Sequence, residues 1–370
     1  MKIGNFMPSS SCYRIVPNRA VPRQVSSVED ELDLARPLKR KATRTAGYSS
    51  DLEIMVRASP IFVVGCPRSG TTLVQTILDS HPDLCVIYEA DFLVDVPLEL
   101  DRCPATADRA LASAEYHPNF RNRSADFDAT VALEKCRELG ITNAVQAMRL
   151  VAARYAQQQG KRRWGNKTPK ALIYIFELSM IYPDAQFIHV IRDGRESVAS
   201  QARVSNRNIF QGALLWRTGI RRGLRARSEL APGRYLEVRL EDLLYSPASQ
   251  ILRMCRFLGE KFDESMLISS TAARARIPSS DLQLHPRLGQ PLHPVSSDID
   301  FGSDIIQRAA TALIEPELAE LGYIEHRGSL MLRPLYLLIG YLLFSLSLRK
   351  NWRDLLRHLA RVRAGRRFSK

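Results

Sequence analysis

The run Pro60-Ile61-Phe62-Val63-Val64-Gly65-Cys66-Pro67-Arg68-Ser69-Gly70-Thr71-Thr72-Leu73 is the stretch of the chain richest in usable chemistry. Short apolar residues end at a glycine, a turn follows, and a helical pattern begins at Thr71. A glycine-bounded loop between strand and helix aims backbone N–H groups and the positive end of a helix dipole at one point. The hydroxyls of Ser69, Thr71 and Thr72 add donors, and Arg68 adds a cation. An anionic ester or anhydride is the expected occupant. The Gly65-x4-Gly70 spacing imitates a Walker A loop, but Thr71 stands where that loop carries its phosphate-reaching lysine. Without that lysine the loop is poorly built for magnesium-assisted phosphoryl transfer.

Positioning such a loop takes strands separated by helices. Ile61–Val64, Phe187–Ile191 and Tyr235–Leu240 read as strands, and Arg163-Trp164-Gly165 as a shorter one. Between and after them, Thr71–Leu78, two stretches in 129–159 around Gly140, Ala171–Ile181, Glu196–Val204, Ile209–Leu230 and Ser246–Leu258 read as helices. That alternation predicts an α/β fold: a P-loop-like, three-layer arrangement with a central parallel sheet flanked by helices. Ligands of such sheets bind at the carboxyl ends of the strands. Residues 276–300 form a proline-bearing loop.

Pro67-Arg68-Ser69-Gly70-Thr71-Thr72 after an apolar strand resembles the 5′-phosphosulfate loop of sulfotransferases that use 3′-phosphoadenosine 5′-phosphosulfate (PAPS). That family's second signature is a strand ending in Arg, with a Ser eight residues later that holds the 3′-phosphate. Here Arg192 ends the strand and Ser200 stands eight positions on. Arg192 offers a planar fork to a phosphate and Ser200 a hydroxyl. The resemblance spans roughly residues 60–325 and is strongest toward the tyrosylprotein and related bacterial sulfotransferases. In that branch the loop helix leads into His-Pro-Asp, and a Glu acts as base. His81-Pro82-Asp83 and Glu89, 21 residues after Arg68, match it. Asn166-Lys167-Thr168-Pro169 resembles the branch's segment whose Lys contacts the transferred group. The chain departs from the pattern at Val204, often Arg, and at Leu240, often Tyr; the Gly-x-x-Gly-x-Trp-Lys loop of cytosolic sulfotransferases is absent.

The resemblance implies transfer of a sulfuryl group from PAPS to a hydroxyl acceptor: a glycan, a lipid, a small alcohol or a peptide tyrosine. Its catalytic residues would be Glu89 as general base, with Lys167 and Arg68 stabilising charge on the leaving oxygen. Its nucleotide would be held by Arg68, Ser69, Gly70, Thr71, Thr72, Arg192 and Ser200, with Ser279 and Ser280 as further candidates. No metal is expected. His81 reads as a helix stop, and Asp193 and Glu196 as helix caps. The alternatives are a P-loop kinase and a non-catalytic, membrane-associated nucleotide-binding protein.

Composition bounds the rest. At 370 residues and 45% hydrophobic, the chain has ample material for a core and excludes a mostly disordered or polytopic membrane protein. Its net charge of +14 is carried by its ends: residues 1–50 hold +5 and 349–370 hold +8, leaving +1 between them. Nucleic acid is therefore not the expected partner. Residues 1–50 read as a basic arm, 51–329 as the sulfotransferase domain and 330–370 as a tail. In the tail the apolar run Leu335–Leu348 would reach only about 21 Å as a helix, short of a bilayer core of about 30 Å. The Arg-rich stretch Trp352–Val362 follows, an amphipathic pattern drawn to an anionic membrane surface or to a second copy in a homodimer. Six isolated cysteines, with no CxxC pair, and no apolar leader near Met1 point to a reducing, cytoplasmic location.

Overall fold

The computed structural model describes residues 48–100, 106–115, 129–205, 208–268, 274–283, 288 and 305–324. The expectations for the basic arm before residue 48 and for the tail after 324 lie outside the described residues, as does the side chain of Ser280.

Five strands form one all-parallel sheet: β1 (Ile61–Gly65), β2 (Leu84–Tyr88), β3 (Arg163–Lys167), β4 (Gln186–Ile191) and β5 (Tyr235–Arg239), in the order β2-β3-β1-β4-β5. The chain leaves β1 for one edge, returns through β3, and crosses to β4 on the other side. The switch point therefore falls at β1, whose carboxyl end carries the phosphate loop. β1 alternates strictly between two cores. Phe62 and Val64 pack with Cys85, Ile87, Trp164, Phe187 and the helix Ala144–Gln158. Ile61 and Val63 pack with Val74, Ile77, Val86, Ile188, Val190, Val238 and the helix Pro247–Leu258. The Phe62 ring stacks on Phe187 at 5.5 Å between centroids and tilts against Tyr182 at 5.3 Å.

β2 is a strand that the sequence pattern does not announce: unlike Ile61–Val64, its short apolar run is not closed by a glycine. β3 is longer than the predicted Arg163–Gly165 and fully buried despite its polar letters. Arg163 escapes the cost of burial by donating to the carbonyls of Ser59 (2.9 Å) and Leu258 (2.7 Å) and pairing with Glu260. The predicted helix Ala171–Ile181 is divided into a 3-10 turn, Pro169–Leu172, and an α-helix, Ile175–Ile181. Tyr174, at φ −106° and ψ 20°, interrupts the two.

The described residues fall into two compact units. The sheet and its flanking helices make one. The other contains the helix Gly194–Ser205, the start of the helix Ile209–Glu229 as far as Arg217, and the helix Ile305–Glu320. There Asp193 accepts from the Arg195 N–H at 2.9 Å and pairs with its guanidinium at 2.6 Å, the predicted cap. Arg217 pairs with the buried Glu317 at 3.1 Å.

His189 is a buried titratable group on β4, with Nδ1 2.6 Å from the Tyr235 hydroxyl. Burial pushes its pKa down from 6.5 to about 3. The imidazole is neutral in the fold but protonates in the unfolded chain, so its stability contribution is lost as pH falls from 6.5 toward 3. Urea titrations should show about 2 kcal/mol less stability at pH 5 than at pH 7, a difference that His189→Gln should largely remove. An equally steep loss in the variant would assign the effect to other groups.

Cys66, Cys85, Cys136 and Cys255 are buried thiols in no disulfide, as their isolation in the sequence suggests; Cys12 and Cys103 lie outside the described residues. Burial pushes Cys85 and Cys255 up to about 12 and Cys136 up to about 11, so they stay protonated. Among the described residues no three His, Cys, Asp or Glu side chains gather as metal donors, and no helix is long and apolar enough to cross a membrane.

Candidate active site

The phosphate loop is shaped by its backbone. A Cβ on Gly65 would sit 2.6 Å from the Val190 carbonyl oxygen, so β1 and β4 approach as closely as they do only with glycine there. Arg68 (φ 70°) and Gly70 (φ 92°) both adopt the left-handed conformation, which turns successive amides toward one side. The Ser69 N–H donates to the Cys66 carbonyl at 3.1 Å and closes the turn. Gly70 is the N-cap of the helix Thr71–Ser80, and no side chain caps it. First-turn amides of a helix have no acceptor within the helix, so this end can serve an external anion. Ser69 is buried, and its Oγ finds no hydrogen-bond partner among the described residues. Thr71 and Thr72 are buried beside it. A buried, unsatisfied hydroxyl at an uncapped helix start is what a bound phosphate would complete. These residues fit the phosphosulfate end of PAPS.

The far end of the same helix is anchored. Asp79 is almost fully buried, accepts from the Val86 N–H at 3.0 Å, and pairs with Lys161 and Arg276. Burial raises its pKa, against the opposing pull of Lys161 and Arg276. His81 closes the helix: Nδ1 accepts from the Asp83 N–H at 3.0 Å and Nε2 lies 2.9 Å from the Lys261 carbonyl. It is the packed helix stop that its sequence context predicts.

On one side of the loop, the β1–β4 register sets Gly65 beside Val190. Arg192, two residues on, donates from Nη1 to the Arg68 carbonyl at 3.1 Å and braces the loop. On the other side, the β1–β3 register sets Lys167 beside Val63, and the β2–β3 register sets it beside Tyr88. Lys167 is completely buried. Its Nζ donates to Glu89 Oε1 at 2.8 Å and lies 3.6 Å from the centre of the Tyr88 ring. The Glu89 side chain keeps 35% of its surface exposed, so solvent or an acceptor can reach the carboxylate. Glu89 has φ 44°, an uncommon conformation for a residue other than glycine.

Four residues named from separate segments of the sequence thus meet in two pairs that the sequence does not specify, Arg68 with Arg192 and Glu89 with Lys167, at the carboxyl ends of neighbouring strands. Ser200 lies in the other unit, buried on the helix Gly194–Ser205, and remains assigned by sequence alone. Ser279 opens the short helix Ser279–Leu282, in a segment whose Ile277 packs with Tyr88. Tyr88 and Asn166 were not singled out by sequence. Asn166 was visible in the Asn-Lys-Thr-Pro segment, but no local signal marked what its amide holds.

A model of the sulfotransferase family matches residues 60–264. Human protein-tyrosine sulfotransferase 1 is 28% identical over 51% of this chain and 44% of its own length. Chicken protein-tyrosine sulfotransferase 2 is 26% identical over 71% of this chain and 69% of its own. The chain therefore spans less than half of the human relative. Among solved structures, the sulfotransferase domain of the Synechococcus PCC 7002 olefin synthase aligns with a TM-score of 0.48 at 22% identity, over 70% of this chain and 96% of that one. With more than half of its residues inside the family match and the phosphate loop at its start, this chain belongs to the sulfotransferase family.

Proposed function

We propose that the protein transfers a sulfuryl group from PAPS to a hydroxyl acceptor, with Glu89 as general base. The observation that carries this reading is the pairing of a reachable carboxylate with a buried ammonium, Glu89 with Lys167 at 2.8 Å, one strand from the phosphate loop. In-line attack forms a bond from the acceptor oxygen to sulfur. The bond from sulfur to the oxygen of the 5′-phosphate breaks, and that oxygen keeps the electron pair. The acceptor's proton passes to the Glu89 carboxylate. Lys167 and Arg68 supply fixed positive charge where the leaving oxygen becomes negative. Arg192 would hold the 3′-phosphate, which sets PAPS apart from ATP. The similarity to protein-tyrosine sulfotransferases makes a tyrosine peptide the first acceptor to test, ahead of glycans, lipid headgroups and small alcohols.

Calorimetry on the full chain tests the donor half. Adenosine 3′,5′-bisphosphate (PAP) is expected to bind at least about tenfold more tightly than ATP with magnesium. Arg192→Ala should weaken PAP by about 10–100-fold, the worth of a charge-assisted hydrogen bond to phosphate. Tighter binding of magnesium-ATP would overturn the reading in favour of a kinase.

A further inference from the structure

We infer that Asn166 is the positioning residue that presents Glu89 to the acceptor, an inference that rests on Glu89 being the base. A left-handed φ at a non-glycine residue is strained and persists only where its surroundings impose it. At Glu89 the imposition comes from β3. The Glu89 N–H donates to the Lys167 carbonyl at 2.8 Å, and its own carbonyl accepts from the Asp91 N–H at 2.8 Å. The residue between them is gripped on both polar groups by one side chain. Asn166 Oδ1 accepts from the Ala90 N–H at 3.2 Å, and Nδ2 donates to the Ala90 carbonyl at 3.2 Å. Thr168 Oγ1 completes the strap by donating to Asp91 Oδ1 at 3.2 Å.

Regular β2–β3 pairing ends at Tyr88 and Lys167. Past that point the Asn166 amide stands in for a backbone peptide and carries the ladder one rung further. The fully buried amide has little freedom to turn. Only a planar amide puts a donor and an acceptor side by side to match one residue's N–H and C=O. An aspartate keeps the acceptor and loses the donor. An alanine leaves the Ala90 N–H unpaired and the Ala90 carbonyl with the Leu93 N–H alone, and with the amide goes the constraint that points the Glu89 carboxylate. Asn166 touches no reacting atom; its effect passes entirely through Glu89.

The test is a double-mutant cycle on the full chain, read as sulfuryl transfer from PAPS. One acceptor is a tyrosine peptide, whose phenol, of pKa about 10, needs a base. The other is 4-nitrophenol at a pH where it is already ionised. Where wild type turns over neither, slow PAPS hydrolysis by water gives the same readout. Asn166→Ala is expected to lower kcat on the peptide about 100-fold, the scale of a small misplacement, with KM for PAPS changed less than about threefold. Glu89→Ala with Asn166→Ala should be no slower than Glu89→Ala alone. On 4-nitrophenolate the Asn166→Ala loss should shrink to less than about tenfold, because no proton needs removing. Should Asn166→Ala fail to fold, Asn166→Asp runs the same cycle with an expected loss of about tenfold. An Asn166 variant within about threefold of wild type, or a double variant whose losses add, overturns the inference while Glu89→Ala stays inactive. An active Glu89→Ala removes the base itself, and the inference with it.

Discussion

Glu89→Gln is expected to lower turnover by about 10²–10⁴-fold while PAP binds within about threefold of wild type. Glutamine has the shape of glutamate and keeps an oxygen to accept from Lys167 Nζ, now 2.8 Å away. What it lacks is a carboxylate that can take the acceptor's proton as the bond to sulfur forms. The proposed nucleotide half of the site, the loop Cys66–Gly70 with Arg192 behind it, is built on β1 and β4 and does not involve Glu89. Kinetics and calorimetry on one preparation should therefore separate: catalysis collapses and affinity stays. The variant should also lose some thermal stability, because the buried Lys167 ammonium exchanges an ionic partner for a neutral one. Turnover within about tenfold of wild type would remove Glu89 from the role of base and direct attention to another acceptor of the proton.

Much of this arrangement is legible in the amino-acid sequence, for identifiable reasons. A parallel sheet is covered on both faces, so β1 appears as an unbroken apolar run and β4 as one interrupted only by His189 after its opening Gln186, and the loop after β1 announces itself by its Gly, Arg and hydroxyls. β3 hides because its polar groups are satisfied only in three dimensions: nothing in Arg-Trp-Gly-Asn-Lys tells that Arg163 reaches three other segments, or that Lys167 has no exposed surface. Glu89 can be located by its spacing from the loop, yet its left-handed backbone sits where its N–H meets the Lys167 carbonyl, 78 residues away, and where Asn166 holds the next residue, and no local pattern encodes that. β2 is concealed because no glycine closes its apolar run, and it matters most for the site, since β2 is what carries Glu89 alongside Lys167. The division of 169–181 into two helical pieces depends on one residue's dihedral angles, which helix propensity does not resolve.

Lys167→Met should move activity and stability in different directions, and that divergence distinguishes a catalytic cation from a structural one. Burying an ammonium requires stripping its water, and attraction to a partner recovers only part of that cost. Lys167 has no exposed surface, whereas its partner Glu89 remains about a third exposed. Methionine fills a similar volume without charge and can rest against the Tyr88 ring that now lies 3.6 Å from Nζ, a contact favourable to a thioether. Once the lysine is gone, Glu89 can be hydrated in place. The melting temperature is therefore expected to hold or rise. Sulfuryl transfer, by contrast, should fall by about 10²–10³-fold, the usual loss when one preorganised donor to developing charge is removed. The fall should appear in kcat more than in the KM for PAPS, since the charge on the leaving oxygen grows only as its bond to sulfur breaks. Thermal melts and steady-state kinetics decide the matter together. A melting temperature lowered by more than about 8 °C with kcat little changed would make Lys167 a structural ion, tying β3 to β2 and no more.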